Sequence, residues 1–271
     1  MGCANIESPE APLLSVMTMA RFPVSLHRFG LIEYGDAWRW QQDRAAAVAS
    51  GEATEALALL QHPPVFTLGP RTRPEHLLVD RAEMRARGAD IIEVDRGGDV
   101  TFHGPGQVVG YAIVSLRKRA MAPVDYVRAL EETIIEALCP YGIAGNRERG
   151  RPGVWVGGEK IAALGIRVRK GVTTHGFALN VAPDLRWFAN IVPCGLAGAR
   201  VTSMARILGY SPQISEVESA IATAFAKRFD VDLVSGSENL AALADAGKPR
   251  LHELATSRLS RRKERVVTNA R

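Results

Sequence analysis

Ile161-Ala-Ala-Leu-Gly-Ile-Arg-Val168 and Val172-Thr-Thr-His-Gly-Phe-Ala-Leu179, joined by Arg169-Lys170-Gly171, read as two strands and the turn of a β-hairpin. A turn this short joins antiparallel neighbours, because a parallel pair needs a crossover of a dozen or more residues. Upstream, Val108–Leu116 is apolar enough for a central strand. Pro123–Leu138 opens on a proline and repeats apolar residues at Val127, Leu130, Ile134 and Leu138, the spacing of a core-facing helix.

Further out, Asp36 is a candidate cap for a helix running to about Ser50, with Gly51 as its stop. Leu57–Leu60 and Val65–Leu68 are short strands interrupted by Pro63-Pro64. Asp80–Arg87 is a short helix ended by Gly88 and followed by a strand at Ile91–Val94. Ser215-Glu216-Val217-Glu218 has the form of a capping box opening a helix to about Phe229. Strands and helices mix without strict βαβ alternation, so the fold class expected is α+β: a single domain on a mixed, largely antiparallel sheet with flanking helices. Residues 1–23 read as an N-terminal extension, 24–235 as the domain and 236–271 as a basic tail.

The chain has 271 residues, 46% hydrophobic and 23% charged, a composition able to bury one sizeable core. Its net charge of +5 hints at nucleic acid until it is mapped. Leu251–Arg271 carries six Lys or Arg against two Glu, so about +1 remains for the first 250 residues. That tail fits a solvated terminus, or an adhesive patch for an acidic partner, better than a nucleic-acid-binding fold. Arg147, Arg149 and Arg151 form a second basic run, readable as a solvated loop or as a docking rim for acidic domains. No apolar run is long enough for a membrane span, and the N-terminus lacks the pattern of a secretory signal. Cys3, Cys139 and Cys194 are too far apart for a metal knuckle and leave one over after any pairing. A reduced cytoplasmic setting is expected.

Three segments carry the chemistry. Arg96–Gln107 packs four glycines, an Arg and a His into twelve residues, a density that lets backbone approach a ligand closely. It has neither phosphate-loop nor dinucleotide-loop order, and a bulged hairpin turn also fits. Gly157–Gly165 sets Lys160 before Ala162, Ala163 and Gly165, small residues that leave room for an apolar ligand. An exposed hairpin lysine would look the same. Cys194, between Pro193 and Gly195, sits where the chain must turn. A buried, inert turn thiol is the alternative to a reactive one.

Taken in order, Arg96-Gly-Gly-Asp-Val-Thr-Phe-His-Gly-Pro-Gly-Gln107, Pro152-Gly-Val-Trp-Val156, Lys160-Ile-Ala-Ala-Leu-Gly-Ile-Arg-Val168, His175-Gly-Phe-Ala-Leu-Asn180 and Ile191-Val-Pro-Cys-Gly195 with Val201-Thr-Ser203 resemble the signature of the lipoyl(octanoyl) transferase family. The resemblance spans about residues 27–230. It implies the fold shared by biotin protein ligases and lipoate ligases, and an acyltransferase moving octanoyl from octanoyl-acyl carrier protein to a lysine ε-amine. The acceptors implied are lipoyl domains of 2-oxoacid dehydrogenases and the glycine cleavage H protein.

On the matching positions, Cys194 would be the acyl-thioester nucleophile and Lys160 its activating partner. Arg96, Gly97, Gly98, Asp99, Val100, Thr101, Phe102 and His103 would line the substrate site with Ala163, Leu164 and Gly165 and with Gly176, Phe177 and Ala178. Thioester to amide is downhill, so no cofactor, ATP or metal is expected, and the enzyme is expected to act as a monomer. A ligase working through an adenylate would not need Cys194; a thioesterase would pass the acyl group to water.

Overall fold

The computed structural model describes residues 21–192, 200–238 and 240. Cys194, the N-terminal extension up to residue 20 and the tail from 241 lie outside the described residues.

The hairpin is the centre of the sheet. β9 (Glu159–Arg169) pairs antiparallel with β10 (Val172–Asn180), and Arg169 faces Val172, so the loop is Lys170-Gly171 alone. Both loop residues have positive φ, 53° and 83°, as a two-residue turn following the strand twist requires. β10 pairs antiparallel with β6 (Gln107–Ile113), and β6 with β2 (Glu55–Gln61). On the other side, β9 pairs with β8 (Arg151–Val156) and β8 with β7 (Asn146–Glu148), again antiparallel.

The far edge is parallel. β1 (Phe22–Leu31) lies beside β2 and beside β11 (Val231–Ser235), both in parallel. A parallel neighbour demands a crossover. α1 (Tyr34–Ser50) supplies it between β1 and β2, completing an eight-stranded sheet. β3 (Val65–Leu68) forms a second, three-stranded sheet with β4 (Asp90–Glu93), in parallel, and β5 (Val100–His103), antiparallel. The architecture is the expected α+β domain.

Helices cover both faces. α3 (Pro123–Leu138), short α4 (Met204–Leu208) and α5 (Ile214–Phe229) bury Leu130, Ile134, Met204, Ile221 and Phe225 in one core with Val108, Ala162 and Phe177. α1 covers the opposite face with Ala37, Trp40 and Val48 against Ala58, Val109, Tyr111 and Ala178. Short α2 (Arg81–Ala86) opens on Asp80, whose carboxylate accepts the Ala82 N–H at 2.6 Å, and packs Met84 among Phe66, Val100 and Phe102 of the small sheet.

Four expectations change in detail. α1 begins at Tyr34, with Glu33 at the cap position and Asp36 inside the first turn, paired with Arg39 at 3.3 Å. α5 is capped at Gln213 without a side-chain bond, so Ser215-Glu216-Val217-Glu218 is not a capping box. Glu218 is instead buried on the sheet side of the helix, 3.7 Å from Arg28. The sheet starts at Phe22, ahead of residue 24. Packing also runs past 235: the Gly236 N–H reaches the Leu26 carbonyl at 2.9 Å, Glu238 bonds Trp40 and Arg44, and Leu240 is buried beside α1.

Candidate functional site

Pairing register brings the small residues of the hairpin into rows. Gly165 faces Gly176, which faces Tyr111; two residues on, Ala163 faces Ala178, which faces Val109. Alternate residues of a strand share a face, so these rows form a shallow trough on the side of the sheet that carries α1. The glycines are required. A Cβ at Gly176 would lie 2.1 Å from the Gly110 carbonyl oxygen, and one at Gly165 2.8 Å from that of Gly97. Phe177 and Leu164 border the same cavity, while both also pack with the core under α3 and α5.

Over this trough closes the segment Arg96–His103. The cavity between them has a volume of about 110 Å³, several times what one water requires. Arg96, Gly98, Asp99, Val100, Thr101, Phe102 and His103 line it from above; Ala163, Leu164, Gly165, Gly176, Phe177 and Ala178 line it from below, and Lys160 stands at one end. Of the expected substrate-site residues that are described, Gly97 alone is not in the lining: its N–H donates to the Ile166 carbonyl at 2.9 Å and ties the segment to β9. The Arg96 guanidinium is buried and held by Thr67, through its carbonyl at 2.7 Å and its hydroxyl at 2.8 Å. Arg96 thus fixes the segment to the small sheet.

Lys160 is half-buried. Its Nζ donates to the Pro152 carbonyl at 3.2 Å and stands 4.8 Å from the centre of the Trp155 ring. Its backbone is equally fixed: the N–H donates to the Arg200 carbonyl at 2.9 Å, and its carbonyl accepts the Thr202 N–H at 3.0 Å. The chain on the other side of residues 193–199 is held too, since the Val192 N–H donates to the His76 carbonyl at 2.9 Å. His76 Nδ1 lies 2.6 Å from Asp99 Oδ2, while Asp99 Oδ1 accepts the Val100 N–H at 2.7 Å. The described backbone on either side of residues 193–199 is therefore held, at Val192 by the His76 carbonyl and at Arg200 and Thr202 by the Lys160 backbone.

Buried polar groups form the rest of the wall. Gln107 Nε2 donates to Phe102 O at 3.1 Å and Asn180 Oδ1 at 2.9 Å, and Asn180 Nδ2 donates to Thr202 O at 2.9 Å. This orientation turns Gln107 Oε1 toward His103 Nδ1, 3.1 Å away, so Nδ1 carries the proton. Burial pushes the His103 imidazole well below its ordinary pKa, with His62 and the Arg96 charge adding to the effect. His175 has φ +60° within β10, its N–H donates to Gln41 Oε1 at 2.7 Å, and its Nε2 lies 2.8 Å from Asp95 Oδ1. Burial, aided by Arg96 and Arg167, pulls its pKa down to about 3, so the ring is neutral.

Sequence reasoning missed Tyr34, Gln107, Tyr111, His175, Asn180 and Arg200 as lining residues. Gln107, His175 and Asn180 lie inside the recognised motifs, so their positions were available there. Tyr34 and Tyr111 lie in plain helix and strand patterns and gave no local signal. Of the basic run, Arg147 pairs with Glu132 at 3.4 Å and Arg151 with Glu148 at 2.6 Å while also covering Trp155.

A model of the lipoyl protein ligase A/B catalytic domain matches residues 33–226. An octanoyltransferase of Chloroflexus aggregans is 44% identical over 211 residues, 77% of this chain and 96% of that protein. One of Gloeobacter violaceus is 45% identical over 209 residues, 77% of this chain and 91% of that protein. Among solved structures, lipoate-protein ligase A bound with ATP superposes with a TM-score of 0.68 at 18% identity, over 82% of this chain and 93% of its own. A bi-partite lipoate protein ligase of an archaeal lipoylation system, from Thermoplasma acidophilum, does so at 0.62 and 19%, over 81% and 91%. The chain belongs to the lipoyl protein ligase A/B catalytic-domain family.

Proposed function

We propose that this protein is an octanoyltransferase that takes an octanoyl group from octanoyl-acyl carrier protein and delivers it to a lysine ε-amine of a lipoyl domain. The observation that carries the reading is the trough of Gly165, Gly176, Ala163 and Ala178, closed by Arg96–His103 and ending at Lys160. It suits an apolar acyl chain with its reactive end beside a cation. Relatives named octanoyltransferase, 44% and 45% identical over most of the chain, support the same activity.

The chemistry assigned is a two-step transfer. The Cys194 thiolate attacks the thioester carbonyl and the carrier's thiolate leaves, taking a proton from Lys160; the acyl group is now a thioester of Cys194. The acceptor lysine amine attacks this thioester, the Cys194 thiolate leaves, and the proton lost by the nitrogen returns to Lys160, leaving an amide. Support comes from the anchoring of both flanks of the Cys194 segment, one of them on the backbone of Lys160 itself. A cation beside the thiol favours the thiolate, which is the nucleophile. Arg96, Gly98, Asp99, Val100, Thr101, Phe102 and His103 form the upper wall for the substrate, Gly97 ties that wall to β9, and Ala163–Gly165 and Gly176–Ala178 form the floor.

The partners assigned are octanoyl-acyl carrier protein as donor and, as acceptors, lipoyl domains of 2-oxoacid dehydrogenases and the glycine cleavage H protein. The enzyme acts as a monomer in the cytoplasm, where a reactive thiol stays reduced. No helix among the described residues is long and apolar enough to cross a membrane.

Intact-protein mass spectrometry after incubation with octanoyl-acyl carrier protein, without acceptor, tests the reading. An octanoyl adduct is expected on the wild type and none on Cys194→Ala. Amide formation on a lipoyl domain by Cys194→Ala at the wild-type rate would overturn covalent transfer.

A further inference from the structure

We infer that Tyr111 sets the length of acyl chain the cavity accepts, closing its far end with a hydroxyl already committed to His62; this rests on the octanoyl-transfer reading above. The reacting end is fixed by Lys160. Along β9, Gly165 lies five residues beyond it and shares a row with Gly176 and Tyr111. At about 3.3 Å per residue, the Tyr111 row is about 16 Å from Lys160 along the strand. The Ala163–Ala178–Val109 row lies between them. A zigzag of C–C bonds of about 1.5 Å spans roughly 9 Å over eight carbons, which leaves the remainder for the lysine side chain and the thioester. An acyl chain running from Lys160 over Ala163 and Ala178 meets the Tyr111 ring with its methyl end.

The wall there resists displacement. Tyr111 is 3% exposed and His62 is 0% exposed. The Tyr111 hydroxyl and His62 Nε2 are 2.7 Å apart, and His62 Nδ1 is 2.7 Å from the Ile32 carbonyl oxygen. A carbonyl oxygen only accepts, so Nδ1 carries the proton, Nε2 is the acceptor and Tyr111 is the donor. Burial holds the His62 pKa down at about 4, in keeping with this neutral form. A longer chain must swing the ring aside and strand two buried polar groups that water cannot reach. A shorter one leaves apolar wall unfilled. Discrimination of about tenfold or more per methylene is what such a pocket gives.

The test uses the full-length protein, a lipoyl domain as acceptor, and acyl carrier protein loaded with six-, eight-, ten- or twelve-carbon chains, with kcat/KM measured for each. In Tyr111→Leu the ratio of ten- to eight-carbon transfer rises tenfold or more. In Ala178→Val, which narrows the trough one row before Tyr111, the six- to eight-carbon ratio rises by a similar factor. Circular dichroism establishes that each variant is folded. A folded Tyr111→Leu with an unchanged ratio overturns the inference; if that variant does not fold, an unchanged ratio in Ala178→Val overturns it. A wild type that transfers no octanoyl group removes the functional reading itself. Octanoyl transfer with unshifted ratios removes only the assignment of Tyr111.

Discussion

His175 shows how a single residue can be held by two bonds in a strained conformation. Its left-handed backbone costs about 1–2 kcal/mol for a residue with a Cβ, and it persists because Gln41 holds the N–H and Asp95 holds the imidazole. The two bonds place the chain so that Gly176 and Ala178 reach the trough. In His175→Asn the conformation is tolerated, and stability in urea falls by about 1–2 kcal/mol from the lost Asp95 contact. In His175→Val a β-branched residue is forced to positive φ, and the loss exceeds that of the Asn variant by 1 kcal/mol or more. Equal midpoints for the two variants would contradict the strain argument. At Lys160, substitution by Met keeps the contact with Trp155 and removes the group proposed to carry the proton, so kcat should fall about 10²–10⁴-fold. A single-turnover assay in which octanoyl transfer stays at the wild-type rate would remove Lys160 from the chemistry.

Elements with strong local signals were legible in the sequence. α3 runs over the residues its proline and apolar spacing indicated, and the hairpin turns at Lys170-Gly171 because glycine takes φ +83° without strain. Leu130→Ala, at a side chain with no exposed surface among the α3–α5 contacts, should cost about 2–5 kcal/mol. Thermal or urea unfolding reads that loss directly. Elements whose existence depends on distant partners were not legible. β1 lies beside β2 and β11, far apart in the chain, and β5 lies inside a glycine-rich segment that composition alone left as a possible turn. The α5 cap differs because the helix already begins at Ile214, which places Ser215 inside its first turn, while Glu218 lies 3.7 Å from Arg28.

At the scale of the whole molecule, neutral imidazoles are buried close to the Arg96 charge. The unfolded chain binds protons on these histidines below about pH 6.5, whereas folded His62 does so only near 4 and folded His175 near 3. Stability from them is therefore complete above pH 6.5 and is lost as the pH falls towards those values, about 2 kcal/mol for each by pH 5. Urea unfolding at pH 7 and pH 5 checks this; a flat profile would mean that the imidazoles are charged in the folded protein. The sequence by itself determined the fold class, the hairpin at its centre and the motifs whose residues line the cavity, because turn chemistry, apolar period and glycine density act over a few residues. Only the tertiary structure decided that Tyr34 and Tyr111 line that cavity, that His76 and Lys160 hold the backbone on either side of residues 193–199, and that Arg96 bonds Thr67. Strand register and the docking of one sheet on another bring such groups together, and neither leaves a trace in the local sequence.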